Sequence, residues 1–473
     1  MRRFESYYRG PVGKLQPNLR AHTIGYFQCQ NTLRIHLYRM TWTLLLSCPL
    51  HTTQGQGPLE FEREPIAYSD TPSQTRVSQL QEQLDAKQTS LSYDSTRGYL
   101  PALLSELELP LSSQLLVFSR TSAQRQISPQ QPRAIYFNDD TYLGWVPSGD
   151  LIELLAMDAQ QGAIFYTLPR HRQKHPQISR DGGQCLLCHA SARTLRVPSP
   201  VARSVIVDRQ GQSLFGAGSY TTDHRTAFKK RWGGWYVTGT HGTMRHRGNV
   251  VVRDYRTPET LDQEAGANIT NLSGHFRTNI FPSPHSDLVA IMVLDHQVRM
   301  HNLLTLANYE TRMAIAYDQN LNKALDRPVG YQSASTQRRI EAAAEKVVRY
   351  MLFSGEPRLR SPIQGTSEFA DQFSRRGPRD RQGRSLRDFD LQTRLFSYPC
   401  SYLIYSASFK QLPTPVRQHI ALRLRLILSG QDQSKPFRHL ARAGRQAIQE
   451  ILRETAPDLI GKQVKSGSDR DNR

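Results

Sequence analysis

No run of eighteen apolar residues occurs in this 473-residue chain, so no segment reads as a membrane-spanning helix. Cysteine is scarce: Cys29, Cys48, Cys185, Cys188 and Cys400 are all there is. Two fall in the N-terminal stretch and two sit three positions apart. Cys400 is left alone, and no disulfide framework is implied. Negative charge is short as well, with 41 Asp and Glu against 61 Lys and Arg, a net charge of +20. The excess is spread out; from residue 331 onward, 26 basic residues are interspersed with 14 acidic ones. No Lys/Arg block of the kind that grips nucleic acid stands out, and nucleic acid is not an expected partner. What remains for the charge is a solvated basic surface, or a face for an acidic protein or an anionic membrane surface. Neither an internal repeat nor a long low-complexity tract is found.

A hydrophobic share of 38% is enough for a globular chain, and the length predicts two or three packed regions. Residues 1–57 read as a leader and linker. Residues 1–39 hold seven Arg or Lys and one acid, followed by the short apolar run Met40–Cys48. Positive charge ahead of such a run is the layout of a secretory signal, which predicts a periplasmic or otherwise exported protein. Leu46-Ser47-Cys48 has the outline of a lipoprotein cleavage site, and Met40 offers an alternative start.

The fold class expected is α+β, with an N-terminal antiparallel hairpin sheet, an atypical cytochrome c-like haem core and a helical C-terminal region. Residues 58–180 carry the first, 181–330 the second and 331–473 the third. Residues 54–67 read as linker, and the spacing of Val77, Leu80 and Leu84 predicts a surface helix over 76–88. Strands are predicted at 114–119, 133–137, 141–146, 151–157 and 163–168. Asn138-Asp139-Asp140 and Asp158-Ala159-Gln160-Gln161-Gly162 make two hairpin turns among them. A third hairpin is expected with arms 203–208 and 212–217. Further on, a helix over 286–317 carries Leu288, Met292, His296, Met300, Leu303 and Ala307 along one stripe. Another runs from Thr336 to Gly355. Residues 361–384 read as a mobile polar loop. Thr414 as cap and Pro415 at the first helical position open a last helix that Gly430 closes.

The most informative segment is Cys185-Leu186-Leu187-Cys188-His189. Two thiols separated by two residues lie on one turn, matched to the two vinyl groups of a porphyrin. The histidine that follows reaches the iron as proximal ligand. By composition alone this pattern should occur on the order of 0.002 times in such a chain. The cofactor expected is haem c, with Cys185 and Cys188 as covalent attachments and His189 on the iron. A redox dithiol lacks its usual βαβ context, and a zinc site lacks a second Cys-x-x-Cys. With one motif, a multihaem wire is disfavoured.

For the sixth iron ligand the candidates are Met300 and His296 on the long helix, with Met292 and His301 behind them. His241 and His246, with Met244 between, stand in a Gly-rich loop flanked by Trp232, Trp235 and Tyr236 that could wall a porphyrin. An unliganded sixth position is the other alternative. Arg203, Arg231 and Arg245 are candidates to pair with haem propionates, although structural arginine is the commoner role. Asn138-Asp139-Asp140 reads as a plain turn rather than a cation site, and Cys400 as a small buried residue.

The chain resembles a group of large bacterial proteins, each with a single Cys-x-x-Cys-His and described as cytochrome c domain-containing. The resemblance rests on the segments 132–139, 185–189, 231–239, 296–302 and 394–406, and covers about residues 60 to 455. It implies haem binding through Cys185, Cys188 and His189 and a redox role. In one departure, Ser199 follows Pro198 where the relatives tend to carry glycine. The function expected is electron transfer by one covalent haem, with an acidic redox partner protein. The alternatives are a peroxidase-like haem oxidoreductase with an open or displaceable sixth position, and a zinc-binding interaction module.

Overall fold

The computed structural model describes residues 60–461, apart from 123, 253, 255, 259 and 260. These residues belong to one compact unit. The expected leader, with Cys29 and Cys48, lies outside them.

The centre is an antiparallel sheet, seven-stranded among the described residues. It is built from β1 (Leu115–Val117), β2 (Arg133–Phe137), β3 (Thr141–Trp145), β4 (Leu151–Asp158), β5 (Gly162–Pro169), β6 (Ser179–Arg180) and, from far along the chain, β9 (Trp235–Tyr236). The order is β6-β5-β4-β3-β2-β1-β9. Both expected hairpins are present, and each is fixed by its own turn residue. Asn138 Oδ1 accepts from the amides of Asp140 and Thr141 at 3.2 and 2.9 Å, and Asp158 Oδ1 accepts from those of Gln160 and Gln161 at 2.7 and 2.9 Å. Every residue of β3 is buried, because both faces of the sheet are covered.

One face carries α1 (Arg76–Asp85), opened by a reciprocal cap between Thr75 and Ser78. There the Tyr166 hydroxyl meets Thr75 Oγ1 at 2.8 Å. α2 (Leu100–Glu106) follows α1, with Leu100, Leu103 and Leu104 buried. Register places Arg133, Gly144, Glu153 and Phe165 together on the opposite face, with Tyr142. This second face receives the single helical turn α3 (Leu186–His189) and the 37-residue helix α4 (Leu288–Ala324). Asp287 caps α4 through the amides of Val289 and Ala290.

Beyond α4 stand α5 (Ala334–Met351), α6 (Phe369–Arg375), α7 (Ala407–Lys410), α8 (Thr414–Leu428), α9 (Arg442–Thr455) and α10 (Pro457–Ile460). Two small ribbons complete the fold, β7 (Arg203–Val205) with β8 (Ser219–Thr221), and β10 (Gly239–Thr240) with β11 (Gln364–Gly365).

The structure differs from the sequence reading in several places. The helix over 286–317 is longer and has no single apolar stripe; nearly every residue from Leu288 to Leu304 is buried, as expected of a helix in the centre of a molecule. The third hairpin keeps its expected turn, with Val207 bridged to Ser213, but its strands β7 and β8 pair 203–205 with 219–221, because residues 215–217 form a 3-10 turn ending at Gly218, φ +94°. Residues 361–384 are ordered rather than a mobile loop, since Phe369 and Phe373 anchor α6 in the core. In the expected linker, Phe61 and Ile66 are core residues. Thr414 opens α8 without acting as its cap.

Candidate functional site

Strand β5 delivers the chain to the motif through β6, and Asp181 turns it. The Asp181 amide donates to the Phe165 carbonyl at 2.8 Å, while its carboxylate accepts from the amides of Gly183 and Cys185, both at 2.9 Å. Gly183 stands at φ +108°, which an L side chain rarely adopts, and a Cβ there would meet open space. Cys185 then begins α3; the His189 amide donates to the Cys185 carbonyl at 3.0 Å. Leu186 plugs the turn into the core, and Leu187 stands 82% exposed. Cys185 is half-buried and Cys188 exposed, and both are free thiols. Burial pushes the Cys185 thiol up to about 12, with Asp181 and Glu153 adding to the effect.

His189 is held from behind. After α3 the chain reverses through two left-handed residues, Leu195 and Arg196, and returns as Pro198-Ser199-Pro200. Ser199 donates its amide to the His189 carbonyl at 2.9 Å, and the Ser199 carbonyl lies 3.0 Å from His189 Nδ1. A carbonyl only accepts, so Nδ1 carries the proton, and Nε2 keeps the lone pair that can bind a metal. Burial holds the imidazole below its ordinary pKa, in the neutral form that ligation requires. Phe165 packs its ring 4.9 Å from the imidazole.

The returning segment is itself clamped. Asn302 of α4 donates to Ser199 Oγ at 2.6 Å and to the Pro200 carbonyl at 2.9 Å. The Ala163 amide donates to the Pro198 carbonyl at 3.0 Å. At the start of β5, a Cβ on Gly162 would come within 2.7 Å of that carbonyl and 2.5 Å of Thr305. Sequence reasoning missed Asn302, a polar residue in a buried helix about a hundred positions from its partners Ser199 and Pro200. Ser199 has a use here, because its hydroxyl supplies one of the two acceptors.

Of the three candidate propionate partners, Arg203 lies within electrostatic range of Arg193 and Cys188, and burial lowers its pKa. Its Nη2 donates to Ser219 Oγ at 2.9 Å, its guanidinium lies over the half-exposed Phe215 ring, and its buried Nε has no hydrogen-bond partner. Arg231 is committed elsewhere. It is buried, donates to the carbonyls of Thr226 and His224, and lies 3.7 Å from Asp295. Arg245 pairs with Glu264 at the surface.

The four candidate sixth ligands are all buried, and among the described residues no hydrogen bond or ring contact joins any of them to the motif. His296 uses both nitrogens, toward His224 Nδ1 at 2.9 Å and Ser401 Oγ at 2.8 Å, and it stacks on Tyr350 and Phe353. His241 accepts from the Asn268 amide through Nε2, and His246 from the Gly248 amide through Nδ1. Each therefore spends its lone pair on the backbone. Met300 is fully buried in α4. Trp232, Trp235 and Tyr236 are core residues too. Trp232 Nε1 donates to Asp295 at 3.0 Å, and Trp235 Nε1 to the Arg203 carbonyl at 2.7 Å.

The remaining readings are settled locally. Asn138-Asp139-Asp140 is a hairpin turn, and Cys400 is fully buried. No group of three or more His, Cys, Asp or Glu that could hold a metal ion occurs among the described residues. No helix among them is long and apolar enough to cross a membrane. From residue 184 to 252, ten Lys or Arg stand against two Asp, so the region that holds the motif carries much of the positive charge. Compared with known proteins, the chain matches no family model, no curated protein and no solved structure.

Proposed function

We propose that this chain is a c-type cytochrome that carries one covalent haem on Cys185 and Cys188 and transfers electrons outside the cytoplasm. The observation that carries the reading is the proximal arrangement. Two free thiols flank one helical turn, and the adjacent His189 is locked through Nδ1 with Nε2 left to bind iron. When bound, haem c supplies a one-electron iron couple. The chain's own part is to hold the imidazole neutral and oriented through Ser199 and Asn302, and to offer Arg203 to a propionate. Its positive charge beside the motif suits an acidic redox partner, with an anionic membrane surface as the other target of that charge.

A second reading, a peroxidase-like haem oxidoreductase, is favoured by one observation: three of the expected sixth ligands have their lone pairs engaged in the interior. An iron without a protein ligand on its far side would be open to a small molecule. The zinc alternative has no comparable observation behind it.

An optical spectrum of the chain, expressed with a c-haem maturation system, tests these readings. Sharp reduced α and β bands, with a covalent pyridine haemochrome, are expected for electron transfer. A high-spin spectrum that shifts with peroxide or carbon monoxide moves the conclusion to the enzyme. No covalent haem overturns both, and metal analysis for zinc follows.

A further inference from the structure

A cleft of about 620 Å³ lies beside the Asn138-Asp139-Asp140 turn, and it includes no residue of the motif. It adjoins a smaller cleft of about 320 Å³, with Arg76 and Asp140 lining both. Five charged residues line the larger one: Arg76, Glu108, Asp139, Asp140 and Arg376. Three of them are neutralised by partners. Arg76 pairs with Glu108 at 3.0 Å, and Asp139 pairs with Arg387, which reaches it from the core side. Asp140 and Arg376 have no ion pair. Asp140 Oδ1 takes only the Thr141 hydroxyl, at 2.8 Å. The two unpaired charges of the cleft are therefore of opposite sign.

The arginine side is built rather than incidental. Arg387 has a side chain only 5% exposed, sandwiched on the Phe373 and Tyr402 rings at 4.5 and 4.4 Å. Its Nε and Nη1 have no hydrogen-bond partner, nor do Arg376 Nε and Asp139 Oδ1, all of them buried atoms. Of the two guanidiniums only Arg376 lines the cleft, and among the described residues it makes no ion pair or side-chain hydrogen bond, so it is left to take an oxyanion from the cleft, with the buried charge of Arg387 behind it. Gly377 stands at φ +88° beside them, where a Cβ would come 2.9 Å from Arg387 Nε. The chain thus keeps this spot free of a side chain.

We propose that the cleft binds a compact zwitterion, with its carboxylate on Arg376, backed by Arg387, and its ammonium on Asp140. Charge balance selects this class. Counting Arg387, three guanidiniums face three carboxylates, so the empty site is neutral overall. A simple anion would satisfy Arg376 but place a net negative charge near Asp140; a simple cation would do the reverse. A ligand that carries both charges satisfies both ends and leaves the balance unchanged. The cleft volume lies within the range of small-molecule sites. Nothing in this inference depends on haem.

The test is calorimetric titration of the full chain with glycine, β-alanine and 4-aminobutyrate, a series of increasing charge separation, with acetate and methylammonium as single-charge controls. At least one zwitterion is expected to bind saturably and about tenfold or more tighter than either control. Arg376→Gln and Asp140→Asn should each weaken it by a similar factor, with circular dichroism confirming the fold. Asp140→Asn keeps an acceptor for the Thr141 hydroxyl, so it decides alone should Arg376→Gln not fold. Absence of saturable binding by all three up to tens of millimolar would overturn the proposal. So would controls that bind equally well, or affinity unchanged in a folded variant.

Discussion

A histidine can offer one nitrogen to a metal when the other is tied to an acceptor, and at His189 that acceptor is a backbone carbonyl 3.0 Å away. The thiols and this imidazole make separable contributions. Cys188→Ala should leave haem attached by a single thioether, with the reduced α band of the pyridine haemochrome displaced to longer wavelength; an unchanged band would mean Cys188 forms no bond. Asn302 acts one step back, as a positioning residue. Asn302→Ala removes two hydrogen bonds and strands the buried Pro200 carbonyl, so a loss of about 2–3 kcal/mol in a urea melt is expected. A structural role alone would stop there. Positioning also predicts a shifted reduction potential in the folded holoprotein, measured by spectroscopic titration. At this scale the sequence offered Cys185, Cys188 and His189 as candidates, because their spacing is local chemistry. It was silent on Asn302 and Ser199, whose roles depend on a contact across a hundred residues.

Among the elements, α4 organises the molecule. Its Asp287 does more than cap it: one carboxylate oxygen takes the amides of Val289 and Ala290, and the other takes those of Thr366 and Ser367 and the Ser367 hydroxyl. Gly365 fits only without a side chain, since a Cβ would come 2.5 Å from that carboxylate. Asp287→Ala should therefore cost about 3–4 kcal/mol, beyond an ordinary cap, because four backbone donors lose a charged acceptor. A chemical-denaturation loss near 1 kcal/mol would mean that the 366–367 amides find other partners. The hairpins of the sheet were legible because Asn138 and Asp158 write their turns locally. The strand β9 was not, since its pairing with β1 joins residues more than a hundred positions apart. Nor was the all-round burial of α4, which a periodicity argument reads as a stripe.

Across the whole molecule, burial of histidine sets an acid limit. Burial lowers His246 and His296 to about 3 and His301 to about 4. Each is neutral in the fold and titrates near 6.5 when unfolded, so its contribution is complete above pH 6.5 and is lost as pH falls toward the folded value. Two acids oppose this. Asp295 is raised to about 6 and Glu356 to about 7, so their contribution is complete below their unfolded values and is lost as pH rises. These three histidines against these two carboxyls, at about 1.4 kcal/mol per pH unit each, leave a net loss of roughly 2 kcal/mol between pH 6.5 and 5. Urea midpoints at the two values check it; a midpoint that rises on acidification would contradict the burial of the histidines.

The same scale decides what can be cut. The stretches separated in the sequence at residues 180 and 330 pack as one unit. Tyr402 donates to Gln297 of α4 at 2.5 Å, Arg387 reaches Asp139 in the sheet, and β9 completes that sheet. A chain ending at residue 330 is expected to lose its near-ultraviolet circular dichroism and not to bind haem stably. A folded, haem-loaded fragment would show that the helical region is dispensable.

By itself, the sequence determined the Cys185-x-x-Cys188-His189 spacing, the two hairpins and the mixed α+β class in outline, since these are set by residues within a few positions of one another. Only the tertiary structure decided which nitrogen of His189 is free, that Arg231 and Arg245 are committed to Asp295 and Glu264, and that His241, His246 and His296 spend their lone pairs in the core. Those outcomes depend on which distant groups come within about 3 Å, and composition and spacing carry no record of that distance.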